Sequence, residues 1–284
     1  MSDTGEGGTG LVVVGAPPGR SWNSAQELLA PAVLLRALPS DLRSVALVYR
    51  ARRPTVAFSS RDLRSSGIGE ATRIARRAGF ACIIRSPGGR MVAYDDGAVI
   101  VDHITRPAGT HGAGHRTFEL SATRHLGVLR SLSGCDLRIG AVAGEYCPGE
   151  FSINVAGEAK VLGSAQRIAA GAALFSTVVQ VEMSQSVRRV IVDVSSALGY
   201  PLRKSSLAGL RDFDPALQVD QVLNAHAAAM LVTAASWPTS GTITASAAPG
   251  PPRSRGASPR ARVLFPSGPA PPSAWRARPR PSPP

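Results

Sequence analysis

Short apolar runs rich in β-branched residues fill the middle of the chain, and they restrict its fold more than any other feature. Glycine and proline turns separate them. They lie at residues 11–14, 44–49, 55–59, 80–85, 91–94, 98–104, 137–142, 151–155, 159–167 and 172–181. Runs of this length and composition are typical of β-strands. The sequence therefore predicts a protein with many short strands.

Two pairs of consecutive runs are expected to form hairpins. Residues 91–94 and 98–104 flank Asp95-Asp96-Gly97, and the last two runs turn around Gly171. A single helix over 164–180 is the alternative for the last pair, since its alanine content permits one. The β-branched run Thr177-Val178-Val179 favours strands.

Helical segments flank the strands. Asn23 or Ser24 is a candidate N-cap for a helix over about 25–38, and further helices are predicted at 70–78, 117–131, 185–198 and 215–235. Strands in the middle and helices at both ends predict an α+β fold, with central mixed or antiparallel sheets flanked by helices.

The last 47 residues have a different composition from the rest. Residues 238–284 hold 13 of the chain's 23 prolines and seven arginines, with no acidic residue. Such a segment cannot bury enough apolar surface to offset ordering, so we expect it to be disordered. The sequence thus predicts a flexible N-terminus at 1–10, a catalytic domain at 11–237 and a disordered tail at 238–284.

Charge and cysteine content narrow the function classes. The formal charge is +13, but the seven tail arginines leave only +6 for the rest, which does not favour a nucleic-acid partner. A basic tail that contacts RNA is the alternative. Cys82, Cys135 and Cys147 form no CxxC pair and no metal-ligand cluster with the five histidines, so no metal site is predicted. An odd cysteine count and a polar N-terminus predict a cytoplasmic protein without a membrane partner.

Cys147 and Lys160 are the candidate catalytic residues. The cysteine lies in Gly-Glu-Tyr-Cys-Pro-Gly, thirteen positions before one of only two lysines in the chain. A thiolate can take an acyl group, and an ammonium can stabilise an acyl carbonyl. A small buried cysteine and an exposed strand lysine are the structural alternatives. Cys135 is a second candidate thiol, whereas His103, His111 and His115 lack a general-base context.

Two motifs resemble those of the lipoate and octanoate attachment family, which shares its catalytic fold with the biotin protein ligases. Residues 85–95 follow the pattern Arg-Arg-x-Ser-Gly-Gly-Gly-Ala-Val-x-His-Asp, although Pro87, Arg90 and Tyr94 depart from it. Residues 160–165 follow the pattern Gly-x-Lys-x-x-Gly-Ser-Ala from its lysine onward. The resemblance spans roughly residues 11–237. It implies a biotin/lipoate ligase-like fold, and it implies substrate binding by Arg85, Gly88, Gly89, Tyr94, Gly163, Ser164 and Ala165.

The resemblance also implies a reaction. A cysteine shortly before the lysine motif is typical of family members that act as octanoyltransferases through a thioester. The expected activity is transfer of an octanoyl or lipoyl group from an acyl-carrier protein to a lysine of a lipoyl-carrier domain or of the glycine-cleavage H protein. No cofactor would be needed. The alternatives are a lipoate-protein ligase, which uses ATP and Mg and holds an acyl-adenylate with Lys160, and a noncatalytic homologue that binds carrier proteins.

Overall fold

The computed structural model describes residues 9–14, 24–106, 113–236 and 261–264 of the chain. In these ranges the strands are β1 (Thr9–Val14), β2 (Leu42–Arg50), β3 (Thr55–Phe58), β4 (Ala81–Ile84), β5 (Val92–Tyr94), β6 (Ala98–Thr105), β7 (Leu137–Ile139), β8 (Ile153–Val155), β9 (Ala159–Ala169), β10 (Ala172–Gln180) and β11 (Ala261–Leu264). The α-helices are α1 (Ser24–Arg36), α2 (Ile68–Arg77), α3 (Ala113–Leu132), α4 (Gln185–Ala197) and α5 (Val219–Ser236). The α+β class predicted from the sequence is confirmed.

The strands form two sheets. The large sheet is mixed, with strand order β11-β1-β2-β6-β10-β9-β8-β7, and the small sheet has the order β4-β3-β5. Strands β9 and β10 pair antiparallel around Gly171, which confirms that hairpin and excludes the single helix over 164–180.

The prediction of a hairpin across Asp95-Asp96-Gly97 is wrong. Strand β5 pairs with β3 in the small sheet, whereas β6 pairs with β2 and β10 in the large one. The turn between them is held by Asp95, whose carboxylate accepts hydrogen bonds from Gly97 N at 3.0 Å and from Ser184 Oγ at 2.6 Å. The segment therefore passes from one sheet to the other.

Each face of the large sheet buries its own core, because successive side chains of a strand point to opposite faces. On β2, Val45 and Leu47 belong to one core, which also includes residues of α1, α2, α4 and the small sheet. Ala46 and Val48 belong to the other core, which includes residues of α3 and α5. The candidate site lies on the first of these faces.

The ends of the chain are described only in part. Of the predicted flexible N-terminus at 1–10, only residues 9 and 10 lie in the described ranges. Of the predicted disordered tail at 238–284, only Ala261–Leu264 do. Residues 261–264 form a strand that pairs parallel with β1. Within the described ranges, no helix combines the length and the apolar character that a membrane crossing requires.

Candidate active site

Cys147 lies between β7 and β8 in an unusual backbone conformation. Its φ of 44° falls in the left-handed region, which residues other than glycine rarely adopt. The loop is anchored at Gly144, whose carbonyl oxygen accepts hydrogen bonds from Arg203 N at 2.8 Å and from Ser206 Oγ at 3.1 Å. Backbone strain persists only where surrounding contacts enforce it, and it is concentrated at functional sites.

The ammonium of Lys160 supplies several of these enforcing contacts. Its Nζ donates to the carbonyl oxygens of Cys147 at 2.7 Å and Tyr146 at 3.2 Å, and it lies 3.3 Å from Glu145 Oε1. Three acceptors match the three N–H donors of an ammonium. Lys160 is only 2% exposed. It therefore binds the backbone of the cysteine segment from inside the protein.

Glu145 is the counter-ion that allows this lysine to be buried. Its carboxylate is fully buried and also accepts hydrogen bonds from Val142 N at 3.0 Å, Gly149 N at 2.8 Å and Ser152 Oγ at 2.8 Å. A buried ion pair is tolerated when its remaining hydrogen-bonding capacity is used in this way. The pair locks the loop between β7 and β8 onto β9.

The Cys147 sulfur takes its own hydrogen bonds from the glycine turn of residues 85–90. Arg90 N donates to Sγ at 3.2 Å, and Arg85 Nη2 lies 3.6 Å from the same sulfur. One backbone N–H and one guanidinium therefore hold the sulfur against the turn. The structure thus brings together Cys147, Lys160 and Arg85, which were predicted as site residues.

Gly89 makes the approach of the sulfur possible. A Cβ at this position would lie 2.8 Å from Cys147 Sγ and 2.8 Å from Arg85 Nη2, and the φ of 91° is one that residues with side chains rarely adopt. By contrast, a Cβ at Gly88 would meet no atom within 4 Å. The Arg90 side chain, which stands where the family pattern has glycine, lies over the ring of Tyr200 at 4.6 Å. Its backbone N–H is what reaches the sulfur.

A cleft lies next to this turn. Arg85 and the adjoining Ser86 and Pro87 form one part of its lining, and Tyr94 forms another. Among the described residues, the buried Nε–H of Arg85 has no hydrogen-bond partner. Apolar side chains of β5, β6 and β10 line much of the remainder, which suits an aliphatic chain.

The lysine motif is divided between the two faces of the sheet. Gly163 lies under the Lys160 side chain, and a Cβ there would be 2.8 Å from Lys160 Cε. Ala165 pairs with Ser176, which lines the cleft. Ser164 points to the opposite face, where its hydroxyl lies 2.9 Å from Thr177 Oγ1. The structure therefore places Ser164 apart from the cysteine and the cleft, because neighbouring strand residues face opposite ways.

The remaining thiols and histidines lie elsewhere. Cys135 packs at the edge of the second core, where Ser133 Oγ donates to its sulfur at 3.0 Å. Burial, followed by the charge of Arg124, lowers the pKa of His103 to about 4. His115 lies 3.3 Å from Glu150 on the surface, and His111 is outside the described residues. In the described part of the chain, no group of three or more His, Cys, Asp or Glu residues is arranged to hold a metal.

Sequence reasoning missed Glu145 and a polar group in the cleft formed by Tyr49, Asp102 and Ser176. Glu145 was visible as an acidic residue two positions before the candidate nucleophile. Asp102 was visible as a single carboxylate in the otherwise apolar run 98–102. Neither signal shows on its own which residues the side chain will meet.

Comparison with known proteins gives one sequence relative and several structural ones. No protein-family model matches the chain. The chain is 25% identical over 154 residues to the octanoyl-[GcvH]:protein N-octanoyltransferase of Geobacillus kaustophilus (strain HTA426), a match that covers 54% of each protein. The chain thus spans about half the length of this curated relative.

The structural relatives cover more of the chain. A lipoate-protein ligase A with bound ATP has a TM-score of 0.60 and 20% identity, with 79% of this chain and 83% of that one covered. The protein Ta0514 of T. acidophilum with bound lipoic acid has a TM-score of 0.59 and 19% identity, with 80% and 86% covered. These likenesses confirm the predicted lipoate ligase-like fold. In fold the chain is therefore similar to lipoate-protein ligases, and in sequence it is similar over about half its length to an octanoyltransferase, the two kinds of protein that its motifs resemble.

Proposed function

We propose that this protein transfers an octanoyl or lipoyl group to a lysine of a lipoyl-carrier protein through a thioester on Cys147. The observation that carries the proposal is the environment of the Cys147 sulfur. It accepts a hydrogen bond from Arg90 N at 3.2 Å beside a largely apolar cleft, on a backbone held in a strained conformation. A positioned thiol next to an apolar cleft is what thioester exchange with an aliphatic acyl group requires.

The reaction has two steps. In the first, the Cys147 thiolate attacks the carbonyl carbon of the donor thioester, the new carbon–sulfur bond forms, and the donor thiolate leaves and takes up a proton. In the second, the neutral ε-amine of the acceptor lysine attacks the Cys147 thioester. An amide forms, the Cys147 thiolate is released, and the amine loses its proton to solvent. These two steps need no cofactor.

Two cations have different roles in this scheme. Arg85 lines the cleft, lies 3.6 Å from the sulfur and has an Nε–H without a partner among the described residues, so it is the donor we assign to the developing oxyanion. Lys160 uses two of its N–H groups on the backbone carbonyls of Tyr146 and Cys147 and the third on the Glu145 carboxylate. It can stabilise the acyl carbonyl only by exchanging one of these acceptors for the substrate oxygen.

The G. kaustophilus relative supports this choice of reaction, since its name describes octanoyl transfer involving GcvH. We accordingly propose the glycine-cleavage H protein or another lipoyl-carrier domain as the acceptor, and an acyl-carrier protein as the donor. An enzyme with these partners would act in the cytoplasm.

Intact-mass spectrometry tests the proposal. After incubation with octanoyl-carrier protein, the full chain should gain one octanoyl group that hydroxylamine removes. Cys147→Ala should not gain it, whereas Cys82→Ser and Cys135→Ser should. An adduct of unchanged yield on Cys147→Ala would exclude the thioester. Product that forms only with free acid, ATP and Mg would identify a ligase, and carrier binding without turnover would identify a noncatalytic homologue.

A further inference from the structure

A second cleft lies on the other face of the large sheet, between the sheet and α3. Successive side chains of a strand point to opposite faces. On β10, Leu174 and Ser176 line the cleft beside Cys147, whereas Ala173 and Phe175 line this one. We call it the second cleft. Its polar lining consists of His103, Thr105, Thr117, Ser121, Arg124 and Gln166.

Helix α3 supplies a cation and two hydroxyls to the second cleft. Thr117, Ser121 and Arg124 follow one another at spacings of four and three residues, so they share one face of the helix. Burial lowers the pKa of Arg124, although a guanidinium stays charged in proteins. Its charge reaches the sheet, because after burial it is the second cause that lowers the pKa of His103 to about 4. At neutral pH His103 is therefore uncharged.

The sheet supplies an amide donor. Gln166 on β9 and His103 on β6 both pair with Phe175 on β10, so three adjacent strands place these residues in one row. Gln166 Nε2 is buried, and among the described residues it has no hydrogen-bond partner. A buried N–H without an acceptor destabilises a fold. A bound molecule with an acceptor oxygen would satisfy it.

These donors specify the chemistry of a ligand. A guanidinium pairs best with a planar, negatively charged group such as a carboxylate. Among the described lining residues Arg124 is the one cation at neutral pH and none is acidic, which suits a ligand with a single negative charge. The remaining lining is apolar and consists of Leu120, Ala173 and Phe175. It suits a short carbon chain.

We propose that the second cleft binds the carboxylate of a small organic acid, with Arg124 and Gln166 as donors and the acid's carbon chain against Leu120, Ala173 and Phe175. This site is separate from the cleft beside Cys147, which lies on the opposite face of β6 and β10. The inference therefore does not depend on the proposed acyl transfer.

Calorimetric titration of the full chain at low ionic strength tests the inference. The probes are butyrate, butyramide and inorganic phosphate. Butyramide has nearly the shape of butyrate without its charge. We expect butyrate to bind about 10-fold or more tightly than butyramide, the range of a hydrogen bond between charged groups. Phosphate should bind more weakly than butyrate, because its second negative charge meets no second cation among the described lining residues.

Two variants link the preference to the second cleft. Arg124→Gln should remove the preference for butyrate over butyramide. Gln166→Leu should weaken butyrate binding several-fold, and it carries the test if Arg124→Gln does not fold. Arg116→Gln is the matched control, because Arg116 is an exposed arginine of the same helix. It should leave the preference unchanged.

Several results would overturn the inference: no binding of butyrate, butyramide binding as tightly as butyrate, phosphate binding more tightly than butyrate, or butyrate binding that is unchanged in both variants. Butyrate binding that is lost in Arg85→Gln and kept in Arg124→Gln would place the acid in the cleft beside Cys147, and it would also overturn the inference. Failure of the proposed acyl transfer appears separately, as the absence of an adduct on Cys147 in the mass experiment.

Discussion

Asp102→Asn should stabilise the protein at neutral pH, and the gain should depend on pH in a defined way. The pKa of Asp102 is raised from 3.8 to about 6 in the folded protein, mainly by burial. The folded state therefore binds this proton more tightly than the unfolded state. The free energy of unfolding falls as the pH rises from about 3.8 through about 6, and it stays lowered above that range.

The magnitude follows from the two pKa values. At roughly 1.36 kcal/mol per pKa unit, the difference corresponds to about 3 kcal/mol at neutral pH. Asparagine cannot ionise, so Asp102→Asn lacks this penalty. Any constant effect of the amide on packing or hydrogen bonding is the same at every pH and cancels in the comparison.

Urea unfolding, followed by far-UV circular dichroism between about pH 4 and pH 8, measures the effect. The stability of Asp102→Asn relative to the unmodified chain should grow by about 2–3 kcal/mol across this range and level off above about pH 7. Asp96→Asn, with an exposed side chain, should show no comparable step. A relative stability of Asp102→Asn that stays flat or falls with rising pH would refute the assignment of a carboxylate whose pKa is raised by burial.

Three further changes test the site and a histidine on the other face of the large sheet. Lys160→Met should lower the free energy of unfolding by about 3–5 kcal/mol, because Glu145 then keeps a buried charge without its cation. Adding Glu145→Gln should restore part of the lost free energy of unfolding in the same urea assay. Gly89→Ala should slow formation of the octanoyl adduct, since its Cβ would lie 2.8 Å from the reactive sulfur; Gly88→Ala, with open space around it, should react at the normal rate in a timed mass assay. Burial and a nearby arginine lower the pKa of His103 from 6.5 to about 4. The unfolded state therefore binds this proton first, and the free energy of unfolding falls as the pH drops from about 6.5 to about 4. In urea unfolding at these pH values, His103→Gln should show a shallower fall.

The class of fold could be predicted from the sequence because it depends on local patterns, whereas the role of Cys147 as nucleophile stays a prediction. β-branched runs between turns predicted the strands, and the resemblance of residues 85–95 and 160–165 to two family motifs predicted the kind of fold. The hairpin expected across Asp95-Asp96-Gly97 was wrong because a turn sequence does not specify which neighbour a strand will pair with. That choice depends on the two cores that the strands bury.

Which atoms meet in the site was decided only by the tertiary structure. The sulfur of Cys147 binds the backbone of Arg90, which is 57 positions away, and Lys160 binds the carbonyl of the cysteine. Asp102 meets Tyr49 across 53 positions. The sequence by itself determined which chemical groups this protein possesses. Folding determined their partners, because contacts between distant segments arise only when the sheets and helices bury their apolar faces together.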